Sequence, residues 1–103
     1  MSAARIELVK GSLQDTVIVR GNLDALSESH LKELPAKVGT PSVRFDFSET
    51  GRINSMGIAL LLRCLKNIKE ERQAEIVVSG LSPMNIMLFK MTGVFLLATP
   101  ATR

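Results

Sequence analysis

Residues 45–62 run Phe45-Asp46-Phe47-Ser48-Glu49-Thr50-Gly51-Arg52-Ile53-Asn54-Ser55-Met56-Gly57-Ile58-Ala59-Leu60-Leu61-Leu62. Three features follow one another in this stretch. Val43, Phe45 and Phe47 alternate with polar residues, the period of a strand with one buried face. Residues 48–54 are polar and turn-rich and read as a loop. An apolar helical pattern then opens at Asn54-Ser55 and continues to about residue 72. Either Asn54 or Ser55 can accept a hydrogen bond from the free N–H groups of the first turn.

At helical spacing, Ile58, Leu61, Leu62, Leu65 and Ile68 form one stripe, which is expected to face a sheet. Met56, Leu60 and Cys64 fall away from that stripe, with Arg63 and Asn67 beside them. An outward face of this kind is normally polar. Two explanations remain open: a docking patch beside Ser55, or cover by a neighbouring helix or a homodimer subunit.

Working outward, residues 5–10 and 16–20 read as two strands joined by Gly11-Ser12, with Gly21-Asn22 closing the second. Leu23, Leu26, His30 or Leu31, and Leu34 recur at helical spacing over about 24–37, capped by Asp24 or Asn22. Pro35 is expected to end or distort that helix. Pro41 precedes the strand 42–47. Residues 74–79 are a short continuous apolar strand of the kind found inside parallel sheets. Ser82-Pro83 supplies an N-cap and a first-turn proline, and Gly93 closes the helix. Residues 94–98 read as a last strand and 99–103 as a tail. The order β-β-α-β-α-β-α-β predicts an α/β fold, with helices packed on a mixed, mostly parallel sheet through right-handed crossovers.

The last of these helices is ambiguous. Met84, Met87, Leu88 and Met91 follow the i, i+3, i+4, i+7 rule of a core stripe. Ile86 and Phe89 are apolar on the opposite side, so one set is exposed or covered by a partner. Methionine suits adaptable binding surfaces.

Composition narrows the function classes. A chain of 103 residues, 46% hydrophobic and 22% charged, fits one globular domain spanning 1–103. The single cysteine cannot form an internal disulfide. The N-terminal sequence lacks the apolar core of a secretory signal, and the longest apolar run, 56–62, is far below the roughly 20 residues of a membrane span. A cytoplasmic protein without direct membrane insertion is expected. Net charge is +3, but there is no Trp or Tyr. Arg63, Lys66, Lys69 and Arg72 recur along one helix with Glu70 and Glu71 among them, which fits a solvated face better than a nucleic-acid interface. His30 is the only histidine, and no phosphate loop, paired-histidine metal motif or nucleophile elbow is present. Neither an enzyme nor a cofactor or metal is expected.

At these residues the chain resembles the STAS family, named for sulfate transporters and anti-sigma-factor antagonists. The family pattern of Asp-Leu-Ser at a strand end, then Ile-Asp-Ser-Ser-Gly-Leu opening a helix, stands here as Asp46-Phe47-Ser48 and Ile53-Asn54-Ser55-Met56-Gly57-Ile58. A second match is Gly80-Leu81-Ser82-Pro83, with Thr92-Gly93 following. The element order agrees over nearly the whole chain.

The resemblance implies partner switching. The unphosphorylated antagonist binds an anti-sigma factor that is also a serine-protein kinase, phosphorylation ends the binding, and a PP2C-type phosphatase restores it. Ser55 aligns with the phosphorylated serine. Ser48, Asn54, Met56, Gly57, Leu60, Arg63, Ile86 and Met87 are the implied partner-binding residues. The alternative is a STAS regulatory subunit of a membrane transporter complex, in which Ser55 is structural. Departures from the pattern are Asn54 for the usual Asp, Met56 for a small residue, and apolar Ile86 and Met87 at often polar positions. The C-terminal helix of many members is also missing, so less cover is expected over the sheet or first helix.

Overall fold

The computed structural model describes residues 5–101. The order is β1 (Arg5–Val9), β2 (Gln14–Leu23), a 3-10 turn (Ala25–Ser27), α1 (Glu28–Lys37), β3 (Ser42–Asp46), β4 (Thr50–Ile53), α2 (Ser55–Arg72), β5 (Glu75–Ser79), α3 (Pro83–Thr92), a second 3-10 turn (Val94–Leu96) and β6 (Thr99–Pro100). Strands lie in the order β1-β2-β3-β5-β6, and β4 pairs with β2. Only β1 runs antiparallel to its neighbour. The expected α/β architecture, with its mostly parallel sheet, is present.

Because each parallel neighbour follows in one direction along the sheet, right-handed crossovers place α1, α2 and α3 on the same face. Burial agrees. Val17, Val19, Val43, Phe45, Ile76 and Val78 point into the core, while Thr16, Ile18, Arg44 and Val77 on the other face are half-buried. The strand 75–79 is therefore covered on one side only, although its composition suggested two.

Three local features differ from the sequence expectations. Residues 50–53 form β4 rather than a loop. Its pairing is to the far end of β2, which runs on past Gly21 to Leu23, with a register shift between them. Gly21 has φ +90°, a conformation that costs glycine little. Residues 94–96 form a 3-10 turn, and the strand comes later, at Thr99–Pro100 beside β5. Pro35 neither ends nor interrupts α1, which continues to Lys37 with Pro35 buried.

The four phenylalanines bind the last helix to the sheet. Phe45 stacks on Phe47 at 6.2 Å, Phe89 of α3 meets Phe47 edge-on at 5.3 Å, and Phe95 meets Phe89 edge-on at 5.9 Å. Such pairs each add about 0.5–1.5 kcal/mol beyond area burial. At the opposite end of the sheet, fully buried Asp15 accepts hydrogen bonds from Gly39 N (2.8 Å), Gly11 N (3.0 Å) and Lys10 Nζ (3.1 Å). This carboxylate ties the β1–β2 turn to the loop before β3.

Candidate functional site

The start of α2 is positioned by the pairing of β4 with the end of β2, through backbone bonds and two side chains. Gly21 N donates to Glu49 O at 3.0 Å, and Asn54 N donates to Leu23 O at 3.2 Å. Asn22 Oδ1 accepts from Arg52 N at 2.8 Å, and Thr50 Oγ1 donates to Val19 O at 2.6 Å. The end of β2 thus holds β4, and β4 delivers Asn54 to the first turn.

Asn54 is the cap. Its Oδ1 accepts from Gly57 N at 2.8 Å, and its backbone carbonyl accepts from Ile58 N at 2.9 Å. Ser55, at the first helical position, is exposed and has no capping duty. Of the two capping choices open in the sequence, the asparagine holds, and the serine hydroxyl is left to solvent. Met56 beside it is 51% exposed.

The rest of the expected outward rim is not a surface. Leu60 and Cys64 are buried at 7% and 3% exposure. They lie at the α1–α2 seam, where a crevice of only about 20 Å³ is shared with Glu28, Leu31, Lys32, Arg63 and Asn67. Cover by a neighbouring helix is therefore correct for these two, and Leu60 is no longer a surface contact. Burial pushes the Cys64 thiol up to about 12. Gly57 is also buried: a Cβ there would stand 2.3 Å from Leu23 O and 2.6 Å from Leu23 C. Its role is to let α2 approach β2. Arg63 remains exposed at the edge of the seam.

Ser48 is exposed at the end of β3. Its backbone N–H is held by Asp46 Oδ1 at 2.9 Å. Gly80, at φ +74°, packs against it so closely that a Cβ would lie 2.6 Å from Ser48 N. The Gly80-Leu81-Ser82-Pro83 segment thus brings the start of α3 beside this loop. Ser82 Oγ caps α3 through Asn85 N at 3.2 Å, and buried Asn85 donates from Nδ2 to Gly51 O at 3.4 Å. Asn85 had no signal in the sequence, since a helical Asn is an ordinary surface residue.

Helix α3 is anchored inward mainly by Phe89 and Asn85. Its methionine stripe, which has the spacing of a core, points outward: Met84, Met87 and Met91 are all strongly exposed. Met84 and Leu88 share a depression of about 300 Å³ with Gly51, Arg52 and Ile53, just before Ser55. Ile86 is on the other flank, lining an apolar groove of about 440 Å³ with Leu81, Phe95, Lys90 and Pro100. The structure therefore brings Ser48, Asn54, Ser55 and Met56 to one end of the sheet and places Met84, at the start of the α3 methionine flank, next to the Gly51–Ile53 segment that leads into them. Leu60 and Gly57 turn inward.

No described helix is long and apolar enough to cross a membrane. A comparison with curated proteins gives no match. Among solved structures, the chain is similar to an anti-sigma factor antagonist from Mycobacterium paratuberculosis, with TM-score 0.78 and 16% identity over 98% of this chain and 87% of that one. It is also similar to the anti-sigma factor antagonist SpoIIAA in its unphosphorylated form, at TM-score 0.68 and 15% identity over 98% and 89% of the two chains. The Bacillus cell fate determinant SpoIIAA in the phosphorylated form gives TM-score 0.65 and 17% identity over 98% and 93%. At such identities these likenesses establish the fold. The STAS domain model matches residues 9–101, and the chain belongs to the STAS domain family.

Proposed function

We propose that this chain is an anti-sigma-factor antagonist that works by partner switching, with Ser55 as the switched residue. The supporting observation is the division of labour at the start of α2. Asn54 does the capping, so the Ser55 hydroxyl is exposed beside apolar Met56, and the exposed methionine flank of α3, which reaches Ile53 through Met84, extends the surface offered for docking. The unphosphorylated face binds an anti-sigma factor that is also a serine kinase. Phosphorylation of Ser55 releases it, and a PP2C-type phosphatase resets the surface. The cytoplasm is the compartment in which this exchange takes place.

The charge accounts for the release without a change of fold. A phosphate adds about −1.5 to −2 charges. At a helix N-terminus it is locally favourable by about 0.3–1 kcal/mol. Docking would instead have to desolvate the dianion against an apolar surface, at a cost of several kcal/mol unless cations pair with it. A hundredfold loss of affinity requires only ~2.8 kcal/mol.

Two measurements test this. Mass spectrometry of the protein from its own cells should find phosphate on Ser55. Wild-type and Ser55→Ala baits should both retain the anti-sigma factor, and Ser55→Asp should retain less. No phosphate on Ser55, together with equal capture by all three baits, would refute the switch and favour a permanent structural role for the serine, as in a transporter subunit.

A further inference from the structure

The sulfur atoms of this chain are distributed in an unusual way. Methionine is ordinarily a buried residue, yet every methionine in the described residues is exposed: Met56 51%, Met84 78%, Met87 63% and Met91 77%. Three of them occupy one flank of α3, at i, i+3 and i+7, where they line an open apolar depression with Pro83 and Leu88, and Met84 also borders the neighbouring depression formed with Arg52 and Ile53. The only thiol has the opposite environment. Cys64 is 3% exposed under α1, and burial keeps it protonated far above neutral pH. A cysteine normally intercepts oxidants as its thiolate, and here that route is closed. Thioether sulfur needs no deprotonation and reacts wherever it is accessible.

We infer that Met84, Met87 and Met91 form a reversible oxidation site whose sulfoxides close the docking face of α3. The oxidant is a hydroperoxide such as hydrogen peroxide. A sulfur lone pair attacks one peroxide oxygen, the O–O bond breaks and the S–O bond forms. The second oxygen leaves as water, with sulfur oxidised by two electrons and the peroxide reduced by two. Methionine sulfoxide reductase reverses the step by passing two electrons from a dithiol, which becomes a disulfide as the oxygen leaves as water.

The geometry explains why the effect falls on binding and not on folding. None of the three side chains belongs to the core, where Phe89 and Asn85 hold the helix, so oxidised α3 stays folded. A partner laid along the methionine flank, however, must desolvate three strongly accepting S=O groups in place of thioethers. This rests on the docking role given to α3 above.

The test treats the full chain with hydrogen peroxide and maps oxygen by peptide mass spectrometry. Sulfoxide is expected at Met84, Met87 and Met91, with Cys64 unmodified and thermal unfolding unchanged. Affinity for the anti-sigma factor should fall by about tenfold or more and return after reductase treatment. The Met84→Leu/Met87→Leu/Met91→Leu variant keeps an apolar flank without sulfur, so it should bind and ignore peroxide. Undiminished affinity with all three sulfoxides in place would overturn the inference, as would peroxide sensitivity that survives in the leucine variant. If the untreated protein does not bind the anti-sigma factor, the function proposed above fails. The same samples probed with the apolar dye ANS then decide this inference: dye bound by the wild type should drop on oxidation and recover on reduction, and an unchanged signal overturns it.

Discussion

Replacing Asp15 with asparagine should cost about 2 kcal/mol at neutral pH and almost nothing near pH 2, a difference that follows from the geometry of one buried carboxylate. Burial alone would raise its pKa. The N–H groups of Gly39 and Gly11 and the ammonium of Lys10 outweigh that, and the carboxyl is lowered from 3.8 to about 2. At 1.36 kcal/mol per unit, this shift is worth about 2 kcal/mol of stability. The sign follows from proton uptake. Between the two values the unfolded chain holds a proton that the folded one does not, so the contribution is complete above about pH 4 and disappears as pH falls towards 2. Asparagine keeps one acceptor oxygen but turns an amide N–H₂ towards groups that are themselves donors. The assay is urea unfolding of both proteins at a series of pH values. At a slope of about 1–3 kcal/mol/M, the neutral-pH midpoints should differ by roughly 1–2 M and converge in acid. Coincident midpoints at pH 7, or a gap that persists unchanged to pH 2, would refute the role given to this carboxylate.

Other substitutions separate packing from docking around α2. Leu60→Ala should destabilise by about 2–4 kcal/mol in denaturant titrations, because the residue fills the α1–α2 seam, whereas Met56→Ala should stay within about 0.5 kcal/mol. Gly57→Ala should lower stability by about 1–2 kcal/mol despite the better helix propensity of alanine, since its Cβ would collide with the Leu23 backbone; a stabilised variant would contradict that contact. Asn54→Ala should cost about 1 kcal/mol in thermal unfolding through loss of the cap. Ser55→Ala should leave the midpoint unchanged.

Much of the fold could be read from residue order because local chemistry and tertiary packing agree. Helix α2 begins at Ser55 and ends at Arg72, as its pattern predicts, and α3 is bounded by Ser82 and Gly93 through the expected caps. Where they disagree, the cause lies in distant partners. Strand β4 has no alternation of its own and exists because the end of β2 offers it backbone groups. Residues 94–96 have strand-like composition, but Gly93 at φ +89° and the packing of Phe95 on Phe89 turn the chain, so pairing is deferred to Thr99.

The candidate site was legible in part for similar reasons. A helical wheel records one apolar stripe and cannot show that α1 lies over a second one, so Leu60 and Cys64 stay open in the sequence between a docking patch and cover by a neighbour. The methionine pattern of α3 carries a period but no direction. Phe89 and Asn85 decide which side turns inward, through contacts with Phe47 and Gly51 that only the folded chain supplies.

The most direct measurement is calorimetric titration of the anti-sigma factor with protein carrying phosphoserine at position 55, alongside the same protein after phosphatase treatment. Affinity should fall by about a hundredfold with the phosphate, ~2.8 kcal/mol, and recover fully on its removal, with melting behaviour unaltered. Equal affinity of the two forms would contradict the claim that a charge on this exposed hydroxyl closes the surface.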